Sequence, residues 1–189
     1  MNSFNRCFKL VPAAVLALGI CGCSLFPEPR QSAIEYYDLK PPAAVRSVPL
    51  DVEQFATFSG ERQRMMTRKN EITVRGSDFH KWNQSPGAML TRYLRLAFRN
   101  QLQDPAVNRK DAVILSGEVL TFEKHGNTAV LGVRFHLKYQ RQVYSKTVEV
   151  TVEMKKSSPA AFAEAMSTAA ERFARMAAAE ADRIAAGRK

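Results

Sequence analysis

Cysteine is scarce in this sequence and is confined to the N-terminus. The three cysteines of the 189-residue chain are Cys7, Cys21 and Cys23. The chain after residue 23 therefore cannot form an internal disulfide, and its stability has to come from a packed core. A long apolar run is also missing. A membrane-spanning helix needs about 20 apolar residues, whereas the N-terminal apolar stretch covers only residues 10–21 and contains Pro12.

The sequence also lacks the residue patterns that catalytic and metal sites need. Its three histidines, His80, His125 and His136, show no metal-ligand spacing with one another. No glycine-rich phosphate loop and no nucleophile-elbow serine occur. Glu149 and Glu153 recur with the period of one strand face, which is typical of a solvated surface. The sequence therefore predicts a protein that is not an enzyme and that uses no metal or cofactor.

The N-terminus does contain a bacterial lipoprotein signal. Arg6 and Lys9 precede the apolar segment, and the run Ile20-Cys21-Gly22-Cys23-Ser24 follows it. The segment is too short for a spanning helix, and Ile20 does not suit an ordinary cleaved signal. We therefore predict a signal peptide over residues 1–22 and acylation of Cys23. Acyl chains anchor a protein because each buried methylene contributes about 0.8 kcal/mol.

The rest of the chain divides into a tether and a domain. Residues 23–33 are expected to form the lipidated N-terminus and a short tether, and residues 34–189 one domain. Ten extended residues reach about 35 Å at most, so the domain is expected to stay near its membrane. Ser24 resembles the sorting signal for the outer membrane, since an aspartate at that position tends to retain lipoproteins in the inner membrane.

Acidic residues are outnumbered by basic ones. The chain has 28 Lys and Arg against 18 Asp and Glu, a formal net charge of +10. Such a balance is compatible with nucleic-acid binding in the cytoplasm, but the export signal argues against that partner. Acidic membrane surfaces, glycans or an acidic protein are better candidates, and part of the charge is ordinary solvated surface.

Hydrophobic periodicity predicts an α+β fold. We expect a mostly antiparallel sheet with two amphipathic helices packed on one face. Predicted strands cover residues 34–39, 45–55, 113–123 and 129–139, a hairpin covers 65–74 with its tip at Lys69-Asn70, and a last strand follows a turn at Tyr144-Ser145. Serine–proline pairs predict two helix starts, at Ser85-Pro86 and Ser158-Pro159. The first helix is expected to close at Asp104-Pro105 and the second to run to about Ala186.

Three features in or beside the predicted helices are candidates for contact with a partner. Arg92, Arg95 and Arg99 form a basic stripe on the first helix, which either meets an acidic partner or is a solvated face. Trp82, the only tryptophan, either seats the helix start in the core, which we favour, or lies exposed at an interface. The stripe Phe162, Met166, Ala169, Phe173, Met176 and Ile184 of the second helix packs on its own sheet or on a second subunit.

In this order, the motifs resemble the ABC-type transport auxiliary lipoprotein family, which includes the paraquat-inducible protein C lipoprotein. The matching features are the lipobox at Cys23, Tyr36-Tyr37-Asp38-Leu39, Met65-Met66-Thr67-Arg68, Phe79-His80-Lys81-Trp82 before a proline-initiated helix, Ser116-Gly117-Glu118-Val119, and the alanine-rich last helix. Residues 53–64 depart from the usual family pattern.

The resemblance implies a role in transport between membranes. Such lipoproteins work with an ABC transporter permease and ATPase and with an MCE-domain protein that carries lipid. This one would dock the periplasmic part at the outer membrane, as a possible homo-oligomer. A lipoprotein that activates a cell-wall synthase is the alternative, although such activators usually have a longer tether.

Overall fold

The computed structural model describes residues 33–58, 63–99 and 112–187. The expected signal peptide, Cys23 and nearly all of the tether lie outside these residues. The described residues form, in chain order, β1 (Glu35–Tyr37), β2 (Leu50–Val52), β3 (Ala56–Thr57), β4 (Arg64–Arg68), β5 (Val74–Trp82), α1 (Pro86–Ala97), β6 (Val113–His125), β7 (Thr128–Tyr139), β8 (Gln142–Glu153) and α2 (Pro159–Ala186).

The strands form one sheet in the order β1-β5-β4-β6-β7-β8. The long strands β6, β7 and β8 pair antiparallel, as do β4 and β5. The short strands β2, β3 and β4 lie one after another along the other edge of β6, each parallel to it. Both helices pack against the sheet and contact each other. The α+β class is confirmed, and antiparallel pairing accounts for most of the sheet.

Alternation along β7 decides which face is buried. Its odd residues Leu131, Val133, Phe135 and Leu137 are fully buried under the helices, whereas Arg134 and Lys138 on the other face are exposed. This agrees with the predicted period of two. In β8, Val148, Val150 and Val152 share the helix side and pack against the core. The second face is therefore open to solvent at Arg134 and Lys138, whereas Val130, on the same face nearer the turn from β6, is buried.

Both serine–proline helix starts are confirmed. Pro86 and Pro159 stand at the first helical positions, where a missing N–H costs nothing. Ser158 Oγ also accepts a hydrogen bond from the backbone N–H of Ala161 at 3.2 Å. Most of the predicted stripe of α2 is buried against the sheet, whereas Met176 is partly exposed.

Three predicted boundaries were wrong, and a fourth lies outside the described residues. Residues 45–49 are not a strand: the Val45 N–H bonds the Ala97 carbonyl at 2.9 Å, and the Val48 N–H bonds Asp182 Oδ1 at 2.7 Å. The turn before β8 lies at residues 140–141, where Gln140 has a φ of 54°, and Tyr144 pairs with Leu137 inside the strand. The second strand of the hairpin runs on to Trp82, and α1 ends at Ala97; the predicted end at Asp104-Pro105 lies outside the described residues.

Candidate functional site

The arginine stripe of α1 is largely engaged within the domain. Arg92 forms an ion pair with Asp38, just after β1. Arg95 donates from Nε to the backbone carbonyl of Val52 at 2.9 Å. Arg99, beyond the end of α1, has an exposed side chain. Of the three predicted partner contacts, two therefore also bind this domain's own segments, and a role in binding a partner stays a prediction for all three.

Asp38, which forms the ion pair with Arg92, connects three parts of the fold. Asp38 also accepts from its neighbour's backbone N–H, that of Leu39, at 2.8 Å, and from Asn83 Nδ2 at 3.3 Å. Asn83 follows β5 and Arg92 lies on α1, so one carboxylate connects the end of β1 to the loop before α1 and to α1 itself. Both partners keep part of their side chains in solvent, which limits the contribution of the pair.

Trp82 has no exposed surface, so it cannot contact a partner in this conformation. Its ring meets Phe122 edge-on at a centroid distance of 4.9 Å and Phe162 at 5.3 Å. The ring therefore joins β5, β6 and α2, which is the core role that the sequence analysis favoured. Its Nε1 is buried and has no hydrogen-bond partner among the described residues.

A cavity of about 510 Å³ lies between residues 40–43, the end of β8 and the first half of α2. Lys40 Nζ contacts Glu164 Oε1 at 2.9 Å at its rim, and this contact holds the pKa of Glu164 below its ordinary value. Tyr93 also lines the cavity. Burial raises the pKa of Tyr93 to about 12, the Glu171 carboxylate adds to the increase, and the Arg175 guanidinium opposes it. The lining is mixed in charge and polar.

The solvent-facing side of the sheet carries cross-strand ion pairs. Arg134 and Glu118 lie opposite each other on β7 and β6 and contact at 2.7 Å. Arg68 donates two hydrogen bonds to the Glu123 carboxylate, from Nε at 2.8 Å and from Nη2 at 3.0 Å. Arg64 meets Asp78 at 3.3 Å. Opposite charges arranged in this way stabilise the sheet and keep this face hydrated.

The histidines occupy separate environments. His80 Nδ1 lies 3.0 Å from Ser77 Oγ and His136 Nδ1 lies 2.7 Å from Ser145 Oγ, whereas His125 Nε2 is 3.2 Å from Glu123. Across residues 33–58, 63–99 and 112–187, no group of three or more His, Cys, Asp or Glu side chains is placed to hold a metal ion. Nor does either helix of these ranges have the length and apolar character to cross a membrane.

Sequence reasoning missed an exposed apolar set near the N-terminal edge. Ile72, in the turn between β4 and β5, is 91% exposed. Ile34, Tyr36 and Phe79, on the β1–β5 edge, are also exposed. The signal for Ile72 was an isolated aliphatic residue among the polar residues of a predicted hairpin tip. The signal for the others was absent, because β1 has only three residues and its pairing cannot be read from periodicity.

Comparison with known proteins adds a family and a fold. The family model for the ABC-type transport auxiliary lipoprotein component matches residues 61–178, more than half of the chain. No match was found among curated proteins. A crystal structure of a protein described as uncharacterized is similar over 78% of this chain and 98% of its own, with 16% identity and a TM-score of 0.66. A crystal structure of a Xanthomonas campestris protein of family DUF330 is similar over 77% of this chain and 92% of its own, with 20% identity and a TM-score of 0.60. At these identities, the two structures support the fold alone.

Proposed function

The chain belongs to the ABC-type transport auxiliary lipoprotein component family, and from that membership we propose that it is a lipid-anchored docking subunit of an MCE-type lipid transport system. Acylated Cys23 would hold it at the periplasmic face of the outer membrane. Its domain would bind the MCE-domain protein, which works with the permease and the ATPase. The protein would supply attachment and position, and no chemical step.

The observation that carries this proposal is the extent of the family match. Residues 61–178 include β4, β5, α1, β6, β7, β8 and about the first two-thirds of α2, so the match spans both layers of the fold. The lipobox at Cys23 stands outside the matched range and points independently to a lipoprotein. Ser24, at the position that sorts lipoproteins, supports the outer membrane over the inner membrane.

The arginine stripe remains the proposed partner surface, but its three residues differ in how much the domain itself depends on them. Arg92 and Arg95 hold α1 to Asp38 and Val52, so their replacement would disturb the domain as well as a complex. Arg99 is exposed, and it is therefore the residue whose charge can be reversed with the least effect on the fold. An acidic surface on the partner would complement it.

The test is recovery of partners from solubilised envelopes. Tagged full-length protein is extracted in mild detergent, purified and analysed by mass spectrometry, with Cys23→Ser as the control that cannot be acylated. We expect an MCE-domain protein with its permease or ATPase, and we expect chemical cross-linking to show whether the lipoprotein is a homo-oligomer. Recovery of a peptidoglycan synthase without any transport component would refute the proposal and support the cell-wall alternative.

The anchor is tested separately from the partner. The mass of the N-terminal peptide should show loss of residues 1–22 and acyl chains on Cys23, and the protein should sediment with outer-membrane vesicles in a density gradient. An unmodified N-terminus, or sedimentation with the inner membrane, would contradict that part of the proposal.

A further inference from the structure

The β4–β5 turn, the β6–β7 turn and the end of β8 lie at one end of the sheet, and β1 starts on the side that faces this end. Arg68, at the end of β4, pairs with Val74 and with His125. Thr128, at the start of β7, pairs with His125 and with Glu153. Strand β1 runs parallel to the last residues of β5, away from this end, so the chain enters the sheet from it. We call it the tether end; the turn at residues 140–141 marks the far end.

Exposed apolar side chains concentrate at the tether end and on the adjoining edge. Ile72 projects from the β4–β5 turn. Glu35 pairs with His80 and Tyr36 with Lys81, so the same register continued by one residue places Ile34 beside Phe79. The described part of the chain has eight exposed large hydrophobic residues, and four of them belong to this set: Ile34, Tyr36, Ile72 and Phe79. Toward the far end, Val143 is exposed after the turn at residues 140–141, and Leu96, near the C-terminal end of α1, is exposed to a smaller extent.

Lysines lie at the same end of the sheet as Ile72. Lys69 precedes Ile72 in the same turn, Lys124 lies near the end of β6, and Lys155 and Lys156 follow β8; three of the four are exposed. Projecting aliphatic and aromatic side chains with lysines beside them are typical of segments that lie at the boundary of a bilayer. There the apolar groups enter the interface and the ammonium groups meet anionic phosphates.

The length of the tether favours the membrane as the partner of this end. Ten residues separate Cys23 from Ile34, and they span about 35 Å at most. If the far end rested on the membrane, Ile34 would be raised by most of the length of β7, which is roughly 30 Å. That orientation would use nearly the whole reach of the tether, whereas the tether end can approach the bilayer without such extension.

We propose that the tether end is a membrane-contact surface that docks on a bilayer containing anionic phospholipid and fixes the orientation of the domain. The inference rests on acylation of Cys23 under the proposed function, and it does not depend on the identity of the transport partner. The acyl chains supply attachment, and the contact determines which end of the domain faces away from the membrane.

The test measures which end approaches the lipid. The full-length acylated protein is reconstituted in vesicles of phosphatidylethanolamine and phosphatidylglycerol. Because the mature chain has no cysteine besides Cys23, Glu71→Cys at the tether end or Gln142→Cys at the far end can be labelled singly with a fluorophore. Quenching by lipids that carry a quencher in the acyl chain then reports the depth of each end. We expect strong quenching at residue 71 and little at residue 142.

Matched variants separate the apolar and electrostatic parts. Ile72→Asp should reduce quenching at residue 71, whereas Val143→Asp, an exposed aliphatic residue at the far end, should not. Lys69→Gln with Lys156→Gln should lower the docking equilibrium about 25-fold, since each lysine near an anionic surface contributes about fivefold. Lys138→Gln with Arg141→Gln removes two exposed far-end cations and should leave it unchanged. Vesicles of phosphatidylcholine alone should weaken docking in the wild type.

The outcomes distinguish this inference from the proposed function. If the protein floats with the vesicles but the two probes are quenched equally, the membrane-contact surface is refuted while the anchor stands. The same holds if quenching at residue 71 requires a co-reconstituted MCE protein, or scales with a second copy of this chain, because the surface is then protein-binding. If the wild-type chain does not float because Cys23 is not acylated, the anchor and the inference both fail.

Discussion

Replacing Phe173 by alanine should cost about 3–5 kcal/mol in the free energy of unfolding, the usual range for a fully buried phenylalanine. Phe173 has no exposed surface. Its ring meets Phe135 of β7 edge-on at a centroid distance of 5.5 Å and Phe55, between β2 and β3, at 6.3 Å. It therefore joins α2 to both halves of the sheet. Two edge-to-face pairs, at about 0.5–1.5 kcal/mol each beyond area burial, place the cost in the upper part of that range.

The assay is thermal and urea unfolding of the full-length protein in detergent, followed by far-ultraviolet circular dichroism. A loss of 4 kcal/mol corresponds to a fall in Tm of about 8–16 °C, at roughly 2–4 °C per kcal/mol for a domain of this size. Met176→Ala is the matched control, because it lies on the same helix but is partly exposed. We expect a cost of less than about 1 kcal/mol there. If both variants lost the same stability, or Phe173→Ala lost less than its control, the packing of α2 described above would be wrong.

Three further predictions address the strand core, the arginine stripe and pH. Gly117→Ala should destabilise the protein by about 1–3 kcal/mol, measured as a lower urea midpoint, because the added Cβ would lie 2.3 Å from the Arg134 carbonyl oxygen. Arg92→Glu should lower the Tm by disrupting the ion pair with Asp38, whereas Arg99→Glu should leave the Tm unchanged and reduce recovery of the transport partner; unchanged recovery would remove Arg99 from the proposed surface. Because the pKa of Tyr93 is raised to about 12 in the folded state, the unfolded state ionises first, so stability should fall as the pH rises from about 10 towards 12. Tyr93→Phe should reduce that fall in urea unfolding at a series of alkaline pH values, and an equal fall in both proteins would contradict the assignment.

The parts of the fold that sequence predicted are those with strong local signals. Strand β7 alternates between apolar and polar residues from Val133 to Tyr139, and its turn from β6 contains Gly126, whose φ of 55° suits a residue without a Cβ. The helix starts carry serine followed by proline. In each case the residues that determine the structure lie within a few positions of one another, so a single sequence is sufficient.

The edge of the sheet could not be predicted in the same way. Strands β2 and β3 have three and two residues, too few for any periodicity, and both are held by β6, which lies far away in sequence. Between them the Glu53 N–H bonds the Leu115 carbonyl at 2.9 Å and the Phe55 N–H bonds Thr91 Oγ1 at 2.8 Å. Alternation in residues 45–55 indicated one long strand, but these hydrogen bonds divide the segment between the sheet and α1.

The availability of the α1 arginines to a partner also could not be predicted from the sequence. A row of arginines on an amphipathic helix predicts that their side chains project from its polar face, and Arg92 and Arg95 do so. Whether those cations are available to a partner depends on acceptors elsewhere in the chain: Asp38 is 54 residues from Arg92, and the Val52 carbonyl is 43 residues from Arg95. Such acceptors leave no mark on the helix sequence. A charge stripe therefore predicts a polar face reliably, while its use in binding follows only from the fold, which here leaves Arg99 as the residue that tests it most cleanly.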